Sequence, residues 1–146
     1  MTDDRRRARA ELLADDALGC VAVHTDADGH TETLTGTGRG VRPLLVWLAE
    51  GRGLAGFCVA DRVVGKGAAL LYARLGVKAV WARTMSESGF ATLHAHGIDA
   101  AYGTLVPVIL NRRRDGMCPI ERAVEHIDDP ASAEPAIRAA VARLMR

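Results

Sequence analysis

The chain predicts an α/β domain, three-layered as α-β-α, with a mixed central sheet between helices. Three observations carry that prediction. Leu54–Ala60, Val77–Ala82 and Ile98–Tyr102 are short apolar runs of buried-strand length. The stretches between them, GKGAALLYARLG and SESGFATLHAHG, have helix composition and each ends in glycine. Ahead of them, CVAVHTDADGHTETLTG places β-rich runs on either side of Asp28-Gly29, the turn chemistry of a hairpin. Strand, helix, strand, helix, strand implies right-handed crossovers and parallel strands, with the hairpin extending the sheet antiparallel.

The remaining elements follow in order. Residues 4–18, DRRRARAELLADDAL, predict an N-terminal helix running to Gly19, with Leu12, Leu13 and Leu18 on a narrow apolar face. VRPLLVWLAEG, with Pro43 early and Gly51 late, predicts a second helix. Ser86 or Ser88 is the expected N-cap of the helix that stops at Gly97. MCPIERAVEHI predicts a helix with Pro119 in its first turn, and the tail a terminal helix from about Ala133, after an Asp-Asp-Pro break.

At 146 residues and 49% apolar content, a single domain over 1–146 is expected, able to hold its core without staples. Nineteen basic against 18 acidic residues leave a net charge of +1, so no global field draws nucleic acid or an anionic membrane. Aromatic residues make up only 4%, too few to stack bases, and nucleic acid is not an expected partner despite Arg112-Arg-Arg114. Cys20, Cys58 and Cys118 are odd in number and lack CxxC spacing, which argues against a disulfide framework and a four-thiolate metal site. No apolar span is long enough for a bilayer, so a cytoplasmic protein is expected.

Candidate functional residues gather at ADRVVGKGAALL. A phosphate-binding loop needs Gly-x-x-x-x-Gly-Lys-Ser/Thr. Here the first glycine is Ala60 and the hydroxyl position is Gly67, so the motif fails. A basic helix start remains: Gly65, Lys66 and Gly67 suit an anion, because free amides, the helix dipole and the ammonium all attract negative charge. The alternative is close helix-sheet packing with a solvated lysine. Asp61 either orients Lys66 or caps the following turn. Cys118, near a helix start in Gly116-Met-Cys-Pro119, is the best nucleophile candidate, against a buried small side chain. Ser86 and Ser88 are caps or pocket residues. Asn111 and Arg112 open an arginine loop that suits a phosphate or, more simply, solvent. The histidines are isolated or, at His94 and His96, two apart, and no metal site is expected from them.

The run GFCVADRVVGKGAALLYARLGVKAVWA, then LHAHGI, LVPVILNR and GMCPIERAV, resembles a prokaryotic family, domain of unknown function family 1893, over roughly residues 18–128. That resemblance implies a cytidine-deaminase-like fold, with a mixed sheet sandwiched by helices. Such deaminases hold zinc through H-x-E or C-x-E at one helix start and P-C-x-x-C at the next. The corresponding positions here, 64–67 and 85–89, read VGKG and MSESG. Neither lysine, glycine nor serine replaces thiolate or imidazole, so deaminase chemistry is not expected to come with the fold. The expected function is binding of a small anionic, nucleotide-like ligand where the helix starts at Lys66 and Ser86 meet the loop of Asn111, Arg112 and Cys118. Alternatives are a Cys118-dependent transfer or redox enzyme, and a homodimeric interaction domain using the leucines of the first helix and the alanine-rich last one.

Overall fold

The computed structural model describes residues 3–38 and 40–145. Five strands form one sheet: β1 (Cys20–Thr25), β2 (Thr31–Gly36), β3 (Cys58–Val64), β4 (Ala79–Ser86) and β5 (Asp99–Val106). Their order is β2-β1-β3-β4-β5. β1 pairs antiparallel with both β2 and β3, and β3, β4 and β5 run parallel, as the alternation predicts.

Among the described residues six helices accompany the strands: α1 (Asp3–Ala14), α2 (Arg42–Ala49), α3 (Lys66–Leu75), α4 (Glu87–Ala95), α5 (Pro119–Ala123) and α6 (Pro130–Leu144). The crossovers through α3 and α4 step in one direction along the sheet, so same-handed connections place both helices on one face. Leu44, Leu70, Leu93 and Ile137 bring α2, α3, α4 and α6 into one core with Val59, Val80 and Met85. The opposite face is covered by α1, through Ala8 and Leu12 on Val21, Val23, Ala60 and Trp81, with Leu18 packed beside them. The layers are therefore unequal, and the ligand-sized clefts lie on the thick side.

Several boundaries differ from expectation, each for a physical reason. α1 stops at Ala14 because the Arg62 guanidinium donates to the carbonyls of Leu12, Asp15 and Leu18, so a cation closes the helix C-terminus. Leu12 is buried but Leu13 is exposed. β3 starts four residues later than predicted and runs on through Asp61-Arg62-Val63-Val64. Its two charges are accommodated on opposite sides of the strand: Arg62 reaches α1, and Asp61 accepts from the Tyr72 hydroxyl of α3 at 2.6 Å. α6 begins at Pro130, because Asp129 is its N-cap and accepts from the Ser132 amide at 3.1 Å; the presumed break is the cap. α5 is a single turn, shorter than predicted.

Candidate functional site

The carboxyl ends of β3 and β4 deliver the starts of α3 and α4 side by side. A Cβ on Gly89 would lie 2.8 Å from the Val64 carbonyl oxygen and 3.1 Å from that of Gly65, so only a glycine lets the two helix openings touch. At α4, Ser86 is the cap: its hydroxyl is fully buried, accepts from the Gly89 amide at 3.0 Å and lies 3.1 Å from that of Ser88.

At α3 the cap comes from a distant part of the chain. Gly65 offers no side chain, and the two free amides are taken by Glu121 of α5. Lys66 N–H donates to Glu121 Oε1 at 2.6 Å, and Gly67 N–H to Oε2 at 2.9 Å. A Cβ on Gly65 would overlap this carboxylate, and one on Gly67 would lie 2.7 Å from Ile120 Cγ2. The glycines therefore admit α5 rather than an external phosphate. Burial raises the Glu121 pKa above its ordinary value, while the two amides and Lys66 pull against that shift. The Lys66 ammonium is answered too, by the Glu125 carbonyl at 3.1 Å and Asp128 at 2.9 Å, with only 13% of its side chain exposed.

These groups border a cleft of about 520 Å3 between α4, the β5–α5 connection and the segment after α5. Lys66, Ser88 and Thr92 line it with the carboxylates of Glu121, Glu125 and Asp128, against apolar Ala91, Val108 and Met117. The formal balance is one ammonium against three carboxylates.

The loop residues expected to complete this site lie elsewhere. Asn111, Arg112 and Cys118 border a second cleft of about 510 Å3, between the start of α2, the loop and the end of α6. Leu110 and Met117 form an antiparallel bridge, and the chain reverses direction between them. Met117 lines the first cleft and Cys118 the second, so neighbouring residues serve opposite sides. Asn111 holds the loop shut, donating to Asp115 Oδ1 at 2.8 Å and accepting from the Asp115 amide at 3.2 Å. Cys118 is partly buried and stands as the N-cap residue of α5, with no base hydrogen-bonded to its thiol among the described residues.

Asp61 belongs to neither cleft. It lies inside β3 rather than past its end, 5% exposed, and binds Tyr72 rather than Lys66. Burial pushes its pKa up to about 6 against the opposing Tyr72 hydrogen bond. Sequence reasoning missed Glu121, the residue that organises the α3 start. The zinc set of a deaminase does not fit here: α3 and α4 open with glycine, lysine and serine, and both oxygens of Glu121 are committed to amides. In the hairpin turn, Asp26, Asp28 and His30 come within 4.8 Å of one another, so His30 is not isolated as expected. All three are exposed, and Asp26 accepts from the amides of Asp28 and His30 as a turn residue does.

Three comparisons place the chain among known proteins. The family model described as Domain of unknown function (DUF1893) matches residues 8–141. No curated protein matches. Among solved structures, a DUF1893 family protein from Thermotoga maritima superposes with a TM-score of 0.77 at 22% identity, covering 98% of this chain and 92% of that one. A diaminohydroxyphosphoribosylaminopyrimidine deaminase/5-amino-6-(5-phosphoribosylamino)uracil reductase, also from Thermotoga maritima, gives a TM-score of 0.42 at 19% identity, over 67% of this chain and 34% of that one. With a family model spanning nearly all of its length and the same fold in a member of that family, the chain belongs to the DUF1893 family.

Proposed function

We propose that this chain is a ligand-binding domain that takes a small organic molecule in the cleft beside Lys66 and Ser88. The observation that supports this reading is the meeting of two helix starts on one open cleft at the carboxyl ends of parallel strands, where α/β sheets gather ligands. The chemistry of the lining revises the ligand expected from the basic helix start. Glu121 already fills the α3 anion position and Asp128 neutralises Lys66, so an anionic, nucleotide-like molecule meets no unanswered cation there. What the cleft offers is acceptors on one side, Glu125, Asp128 and the hydroxyls of Ser88 and Thr92, and an apolar wall on the other. That combination suits a compact ring bearing amino groups, nucleoside-like without its phosphate.

Thermal-shift titration of nucleosides, aminated heterocycles and nucleotides against wild type, Ala91→Trp and Lys66→Ala tests the reading. The expected result is a shift with the amino-bearing rings that the filled cleft of Ala91→Trp loses. No shift with any of them, or one that survives Ala91→Trp, overturns it. A nucleotide shift that disappears in Lys66→Ala would restore the anionic ligand at the helix start.

A second reading, self-association, is favoured by the sheet edge. β5 carries no charged residue from Ala100 to Val106, and Tyr102 and Leu105 are exposed on it beside Phe90 of α4. On the terminal helices Leu12, Ala133, Ile137 and Ala140 are buried in this chain's own core, while Leu13 and Leu144 are exposed. A dimer mass by light scattering that Tyr102→Lys returns to monomer supports pairing through β5; a wild-type monomer at all concentrations excludes it.

A further inference from the structure

The second cleft differs from the first in carrying positive charge that no described residue pairs with. Arg42, Arg112 and Arg113 line it from two separate parts of the chain, the first residue of α2 and the 111–115 loop. None of the three makes an ion pair or a side-chain hydrogen bond among the described residues, and no carboxylate lines the cleft. Apart from Asn111, which is tied to Asp115, the rest of the wall is apolar or small: Leu110, Ile120 and Val141 supply a hydrophobic floor, and Cys118 sits partly buried beside them.

Three guanidiniums border one partly apolar cleft, and a planar fork matches the oxygens of phosphate or carboxylate. We propose that this cleft is a binding site for an organic anion, its phosphate or carboxylate held by Arg42, Arg112 and Arg113 and its apolar body laid on Leu110 and Ile120, next to the Cys118 thiol. The site is independent of the cleft beside Lys66 and stands whether or not that one binds a ligand.

Cys118 supplies the readout. Cys20 and Cys58 are buried, so alkylation of the native protein reports Cys118. Its rates with anionic iodoacetate and neutral iodoacetamide are measured by peptide mass spectrometry and divided, with a cysteine peptide as reference. The arginine field is expected to raise the iodoacetate-to-iodoacetamide ratio about tenfold over the peptide. The double variant Arg112→Ala/Arg113→Ala, and 0.5 M salt, return it to the peptide value. Phenyl phosphate and benzoate, the two probes of the shared anionic chemistry, each protect Cys118 from iodoacetamide; whichever saturates at the lower concentration identifies the preferred head group. A ratio equal to the peptide's in wild type, or absence of saturable protection by both probes, overturns the proposal. Unchanged protection in the double variant overturns it equally. Cys20 and Cys58 staying unmodified in every variant shows that the fold is intact throughout.

Discussion

The two clefts, one on each side of the bridge between Leu110 and Met117, are nearly equal in volume and opposite in electrostatics. Beside Lys66 the positive groups are answered from within the fold: two helix amides by Glu121, the ammonium by Asp128 and the Glu125 carbonyl. Beside Cys118 three guanidiniums have no ion-pair partner among the described residues. A basic residue at a helix start is therefore not by itself an anion site, because what decides is whether the chain brings its own anion there. At α3 that anion arrives from more than fifty residues away, with contact separations of 54 and 55. Removing charges should thus cost stability in the first cleft and spare it in the second.

The largest effect is expected from Glu121→Ala. It strands two amide donors and removes their charged acceptor, at a cost of about 4 kcal/mol in urea unfolding. The emptied position should then behave as the anion site the sequence suggests. Added phosphate is expected to restore about 1 kcal/mol to Glu121→Ala and none to wild type. Equal phosphate responses in the two proteins would mean that Glu121 is not the internal occupant.

Next comes the other buried carboxylate. Asp61 is pushed up from 3.8 to about 6, so its contribution to stability is fully present below about 3.8 and lost as pH rises through 6. That loss is about 3 kcal/mol. Asp61→Asn, which keeps an acceptor for Tyr72, should gain on wild type by that amount between pH 4 and pH 7. Glu121 is shifted in the same direction in both proteins, so the difference between their pH profiles isolates Asp61. Parallel profiles would contradict the burial cost. Gly65→Ala follows, at about 2 kcal/mol, since its methyl must displace the Glu121 carboxylate. A Glu121→Ala background should shrink that penalty, which a double-mutant cycle measures.

Much of the scaffold was legible because its signals are local. The apolar runs that became β3, β4 and β5, the turn at Asp28-Gly29 and the Ser86 cap each depend on a few adjacent residues. The end of β3 was not legible, since Asp61-Arg62 reads as a loop until Tyr72 and the α1 carbonyls are known to receive those charges. The internal cap of α3 was hidden for the same reason. A helix start with glycine where a capping side chain belongs was the available signal, but nothing local points to Glu121 in PIERA. The division between the clefts lay closer to hand. Met117 and Cys118 take opposite sides as adjacent residues of an extended segment do, and applying that alternation would have separated Cys118 from Lys66.

The smallest expected effect is the one that most sharpens the contrast. Arg42, Arg112 and Arg113 are exposed and make no ion pair among the described residues, so replacing Arg112 and Arg113 by alanine removes like charge from one cleft rather than a paired contact. At 10 mM salt the double variant should match or exceed wild type by up to about 0.5 kcal/mol. At 500 mM salt the difference should vanish, because screening over about 4 Å already silences exposed like charges in wild type. Lys66→Ala, measured beside it, should lose about 1 kcal/mol at both salt concentrations, because its partners lie within bonding distance and its side chain is mostly buried. If the arginine variant instead lost more than 1 kcal/mol, those guanidiniums would be holding the loop in place. The second cleft would then be, like the first, a region whose charges the fold has already spent on itself.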